Sequence, residues 1–330
     1  MSKSVPAVVG RNPVTSSAKW MEMSASDRLK ELRSLRVFAP DAAKCLTRLN
    51  ARLRGDSPAS SGNAGILITG PAHIGKHSLI AHLADSNPPT PTETIDRHSI
   101  VVVPPIARPD PGGLTEAIEL ATGWRYQGAR LLGGAGPAFQ VNRICQAKGV
   151  RILAFDRAMF LCGRHAIAPE AVPFLSGIMD AGQTLVVLVG PKTLEDRIRK
   201  TSGLSERFFF WRLAPFAYGD EWVAVLGSYE RAMPFAPGSL TSGTMPARLY
   251  LACWGKLPRF GQLTIEAARN RLRNRSSNAV IELQDYYDAY AELMPDDKKN
   301  PFRKDYTAQV LAEDIERGPR VDAATLTGVE

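Results

Sequence analysis

The sequence predicts an α/β fold, a parallel sheet flanked by helices, and three observations carry that reading. Five short apolar runs, GILITG, SIVVVPPIA, VRILAFD, TLVVLVG and RFFFWRL, lack polar alternation, as strands buried on both faces do. Helical segments separate the runs in the strand, loop, helix order of α/β proteins. The first run leads into a glycine-bounded loop, Gly70 to Lys76, that opens a helix.

Taken in order, residues 1–23 are polar with little to bury and read as a flexible arm. In the segment 24–64, Ser24 caps a helix with Leu29, Leu32 and Leu35 at three-residue steps. A second helix, DAAKCLTRLNARL, aligns Leu46, Leu49 and Leu53 and gives way to the linker GDSPASSGNA. The core, 65–218, holds the five strands, the proline-rich loop NPPTPTETIDRH and the glycine-rich connection GWRYQGARLLGGAGP. From Gly219 strand-like runs stop. DEWVAVLGSYERAM, MPARLYLACWGKL, LTIEAARNRLRNR and AVIELQDYYDAYAELM read as helices of a small lid, 219–294. The charged tail, 295–330, has few core-forming residues and is expected to be disordered or to order only on a partner.

A chain of 330 residues exceeds what one core usually supports, which fits a sheet domain with a smaller companion. Lys and Arg number 41 against 33 Asp and Glu, a net charge of +8 that favours a polyanionic partner such as nucleic acid. The four cysteines, Cys45, Cys145, Cys162 and Cys253, show no C-x-x-C spacing and read as buried free thiols suited to a reducing compartment. No apolar run approaches eighteen residues, and the N-terminus lacks the apolar core of a signal peptide. A soluble cytoplasmic protein without a membrane partner is expected.

The loop residues Gly70, Pro71, Ala72, His73, Ile74, Gly75 and Lys76 follow the phosphate-loop pattern G-x-x-x-x-G-K-[ST] up to its last position. Backbone N–H groups and the helix N-terminus cradle phosphates in such loops, and the lysine reaches the β and γ oxygens. The Mg²⁺-binding hydroxyl is replaced by His77. Ser78 comes one residue late, about 100° round the helix. A second motif, VRILAFD, ends at Asp156, the place of a Mg²⁺-holding carboxylate facing the loop. The next residue, where a glutamate polarises the attacking water, is Arg157, which cannot act as a base. These residues predict ATP binding through Gly70 to Ser78, with turnover impaired. Gly190 ends the fourth run where a polar γ-phosphate sensor is usual, and Arg207 precedes the fifth, where oligomeric ATPases place an arginine that reaches a neighbour's nucleotide.

From roughly Ser24 to Met294 the chain resembles the AAA+ transposition regulators of the TniB/TnsC type. The likeness runs through SDRLKELRSLRVFAPDAAKCLTRLNARL, GILITGPAHIGK, VRILAFDRAMFL, TLVVLVGPKTLEDRI and, most distinctively, LSERFFFWRLAPFAYGDEWVAVLGSYERAMP. The resemblance implies a P-loop AAA+ sheet with N-terminal helices and a C-terminal helical lid, using ATP and Mg²⁺. It further implies a homo-oligomer, ring or filament, on duplex DNA that communicates with a DDE transposase and a TniQ-like targeting protein. Basic residues recur before the third strand at Arg125, Arg130, Arg143 and Lys148, on the side past which regulators of this resemblance thread DNA. A second cluster, ARNRLRNR, divides between two helix faces and reads as solvated. A non-hydrolysing scaffold of the same fold and a small-molecule P-loop kinase are the alternative readings. The kinase is disfavoured by the helical lid and the preamble.

Overall fold

The computed structural model describes residues 8–9, 22–55, 65–93, 96–107, 109–124, 136–274, 280–295, 297 and 299–319. The chain forms two compact units. One contains 41–214, and the other joins 1–40 to 215–330.

Two helices lead in. The first, α1 (Ala25–Ser34), starts where the Ser24 hydroxyl accepts from the Asp27 amide, the capping expected from sequence. The second, α2 (Pro40–Arg54), buries Leu46, Leu49 and Leu53 on one face. The linker 56–64 lies outside the described residues, as does almost all of the arm 1–23.

All five apolar runs form strands. In chain order the sheet unit is β1 (Gly65–Thr69), α3 (Lys76–Asp85), β2 (Ile100–Val103), α4 (Pro111–Thr122), α5 (Pro137–Lys148), β3 (Ile152–Phe155), α6 (Ala171–Asp180), β4 (Leu185–Gly190), α7 (Lys192–Arg199) and β5 (Phe208–Arg212). The strands pair in the order β2-β3-β4-β1-β5, all parallel. Burial on both faces explains the unalternating sequences of β1, β3 and β4, every residue of which is buried, whereas the edge strand β5 is buried only at Phe208. From β1 the chain leaves for the far edge at β2, so the crevice of this sheet lies at the carboxyl end of β1. Register places Thr69, Gly190 and Arg212 in one row at that edge, with Asp156 directly after β3.

The helical unit contains α1 together with α8 (Asp220–Ala232), α9 (Met245–Cys253), α10 (Leu257–Asn274), α11 (Leu283–Leu293) and α12 (Ala308–Arg317). Leu32 of the first helix and Leu35 directly after it sit in the same buried cluster as Trp222, Phe260 and Leu263, which is why α1 belongs here. Trp222 is the centre of an aromatic group, with its ring 5.9 Å from those of Tyr250 and Phe260, and its indole N–H donates to Pro246 O at 2.9 Å. Arg271 is buried and paired with Glu282 at 3.1 Å, so the expectation of a solvated face fails at this residue of ARNRLRNR. Its helical position turns it toward α11 instead. Arg275 of the same stretch lies outside the described residues.

The expectation of a disordered tail is corrected for residues 299–319. Phe302 is 1% exposed and stacks on Tyr286 with ring centres 5.5 Å apart. The buried Arg248 guanidinium donates to the carbonyls of Pro301, Arg303 and Tyr306 at 2.7, 2.8 and 2.8 Å. Leu311 of α12 is fully buried with Ala247 and Leu251. A few well-spaced anchors hold the segment, which a count of its charges does not reveal. Residues 320–330 lie outside the described residues.

Among the described residues, no helix is long and apolar enough to cross a membrane. Cys45, Cys145 and Cys253 are buried free thiols and Cys162 is half-buried.

Candidate nucleotide site

The loop from Gly70 to Lys76 stands at the carboxyl end of β1 and runs into α3. Gly70 is fixed by close approach, since a Cβ there would lie 2.6 Å from the backbone oxygen of Leu213. Gly75 caps the helix at φ 99°, in the left-handed region that glycine enters without strain. His73 adopts φ 57° inside the loop. The Lys76 ammonium folds back over the loop and donates to Gly70 O and Pro71 O, each at 2.7 Å. Pro71, Ala72 and His73 are exposed, while Ile74, Gly75 and Ser78 are partly buried.

The altered position 77 meets the expected carboxylate here, with the altered position 157 next to it in the chain. His77 Nδ1 lies 2.5 Å from Asp156 Oδ2, and the other oxygen, Oδ1, accepts from the Arg157 amide at 3.0 Å. His77 is largely exposed, whereas Asp156 is buried. Arg157 is exposed at φ 53°, starting a turn of 3₁₀-helix, Ala158–Leu161. Both oxygens of Asp156 are therefore engaged, and the neighbouring position offers an imidazole where Mg²⁺ prefers oxygen. Arranged in this way, the pair does not fit the Mg²⁺ ion expected at Asp156. The loop, by contrast, fits a phosphate group, with its amides at a helix N-terminus and a lysine above.

Sequence reasoning missed a charged cluster beside the loop. Glu195 on α7 is 2% exposed, and Arg212 grips it with a fork, Nε to Oε2 at 3.0 Å and Nη2 to Oε1 at 2.5 Å. Arg199 Nε adds a bond at 2.9 Å and the Thr69 hydroxyl donates to Oε2 at 3.3 Å. The cluster ties α7 and β5 to the last residue of β1, directly before Gly70. Its one legible trace is the Glu195 and Arg199 spacing of four on α7. The Arg212 contact is the main cause that holds the Glu195 carboxyl down at about 2, against the opposing effect of its burial and with help from Arg199. A carboxyl lowered on folding stabilises fully above its ordinary value near 4.5 and loses that contribution as pH falls toward 2. The expected result is that wild type exceeds Glu195→Gln in denaturant midpoint by a constant margin above pH 5, and that the margin shrinks between pH 4.5 and 3. A margin flat down to pH 3 contradicts the assignment.

A sensor side chain at Gly190 requires Leu194 to shift, because a Cβ would meet Leu194 Cδ2 at 2.5 Å and Leu194 Cβ at 3.2 Å. Arg207 pairs with Asp180 at the amino end of β5. The five residues of β5 put it roughly 16 Å from the row of Thr69 and Arg212, so it does not reach its own chain's loop. Among the basic residues, Arg143 is exposed on α5, whereas Lys148 is buried at 5% exposure and is withdrawn as a DNA contact. It falls on the face of α5 that carries Val141, Ile144 and Cys145, a spacing already present in the sequence. Arg125 and Arg130 lie outside the described residues.

The sequence profile of the family described as "Bacterial TniB protein" matches residues 28–218. No curated protein matches the chain. Among solved structures it is similar to Cdc6p from Pyrobaculum aerophilum, with 16% identity, TM-score 0.50 and coverage of 77% of this chain and 67% of that one. It is also similar to the ORC1 protein of Aeropyrum pernix in complex with DNA, with 23% identity, TM-score 0.47 and coverage of 78% of this chain. The chain spans 65% of that ORC1 chain's length. At these identities the likeness is one of fold.

Proposed function

Because the chain belongs to the bacterial TniB family and has the AAA+ ATPase fold, making it a transposition-related AAA+ protein, we propose that it binds ATP or ADP and turns it over slowly or not at all. The observation that carries this reading is the loop from Gly70 to Lys76, intact in its glycines and lysine beside a His77 that replaces the hydroxyl and pairs with Asp156. Nucleotide binding then serves assembly. The protein forms a homo-oligomer, ring or filament, on duplex DNA and links target selection, through a TniQ-like protein, to recruitment of a DDE transposase. Family membership and the positive net charge support the DNA partner. We assign Arg207 a role at a neighbouring subunit's nucleotide, a reading that its position at the amino end of β5, away from its own loop, supports. Membership in the family also favours this reading over a small-molecule kinase.

Calorimetry with ADP and ATP tests the binding step. Wild type is expected to bind, and Lys76→Ala to lose at least about tenfold in affinity, as charged hydrogen bonds to phosphate contribute roughly 1.5–3 kcal/mol. Equal affinity in the two proteins removes the loop as the binding site.

A further inference from the structure

In nucleotide sites of this shape, a hydroxyl at the first helical turn and the carboxylate after the third strand hold Mg²⁺ between β- and γ-phosphate oxygens. Here those two positions hold each other. The 2.5 Å contact between His77 Nδ1 and Asp156 Oδ2 takes one oxygen, and the Arg157 amide takes the second. The imidazole is carried by the first residue after Lys76, the position that bears the Mg²⁺-binding hydroxyl in the sequence pattern. Mg²⁺ sheds water reluctantly and binds through carboxylates and phosphates in a near-ideal octahedron, so it competes poorly for a carboxylate whose two oxygens each already hold a hydrogen bond. The phosphate-binding groups do not depend on it. The loop amides, the N-terminus of α3 and Lys76 are all in place, and the Gly70 and Gly75 geometry holds them there.

We propose that the loop takes a nucleoside di- or triphosphate without any divalent cation, the pair of His77 and Asp156 closing the metal position. This rests on the nucleotide-binding reading above. The two are separated by calorimetry on the full chain with ADP and ATP, in excess Mg²⁺ and in excess EDTA. The expected result is a Kd in EDTA within about twofold of that in Mg²⁺ for wild type, and in His77→Thr a Mg²⁺-dependent tightening of ATP binding by about tenfold or more. Far-UV circular dichroism and the melting temperature establish that the variant is folded, and the wild-type comparison stands without it. Binding by wild type that appears only with Mg²⁺ overturns the proposal and leaves the nucleotide reading intact. Absence of binding in both conditions overturns both. Metal-independent binding in wild type and in folded His77→Thr alike removes the assignment to this pair.

Discussion

The double variant His77→Thr, Arg157→Glu is expected to release phosphate from ATP at least about a hundredfold faster than wild type in the presence of Mg²⁺, since a positioned base or an electrostatic group each supplies roughly 10² or more. The threonine restores the hydroxyl ligand and, by removing the imidazole, frees Asp156 Oδ2. The glutamate restores a carboxylate able to orient water. Position 157 is exposed and in the left-handed region, so glutamate meets no packing barrier there and no more backbone strain than arginine does. The two substitutions act on different parts of the reaction, the metal and the water, and neither alone completes the set. A double variant that folds, binds ATP and stays at the wild-type rate contradicts the account, as does vigorous Mg²⁺-dependent turnover by wild type.

Phe302→Ala is expected to destabilise the helical unit by about 3–5 kcal/mol, the usual cost of truncating a buried phenylalanine. The ring stacks on Tyr286 and lies 6.1 Å from Tyr290, and the Phe302 amide donates to Asn300 Oδ1 at 3.0 Å. Loosening this anchor also exposes Arg248 to the loss of three carbonyl acceptors that it cannot replace while buried. Denaturant unfolding followed by tryptophan fluorescence reads the unit through Trp222 and Trp254, and hydrogen exchange assigns the change to residues 299–319. A shift below about 1 kcal/mol means that this segment does not support the unit in solution.

The strands were legible because burial on both faces leaves an unbroken apolar run, a pattern that needs no knowledge of the partner strands. The phosphate loop was legible because its spacing is local. What escaped was non-local. Arg212 meets Glu195 only because β5 lies beside β1 in the sheet, an adjacency absent from the order of the chain. The substitutions at positions 77 and 157 were visible as departures, but that His77 reaches Asp156, 79 residues away, follows from the geometry of β1 and β3 with β4 between them. Lys148 is different, since its place on the core face of α5 was present in the helical spacing and was outweighed by its charge. The tail was misread because composition averages over a segment, whereas Phe302 and Leu311 are two side chains that each find a buried place.

The crowding at Gly190 bears on how such a chain changes over generations. A polar residue there restores a γ-phosphate sensor in name, yet its Cβ would meet the side chain of Leu194, which is fully buried on α7. The gain is therefore conditional. Either the Leu194 side chain shifts or a smaller residue replaces it, and the replacement on its own leaves a cavity costing about 2–5 kcal/mol for a leucine-to-alanine change. Each first step carries a packing cost when taken alone, and that cost stands between the present sequence and a complete hydrolytic site. Packing at the carboxyl end of the fourth strand therefore resists a sensor here, whatever becomes of positions 77 and 157.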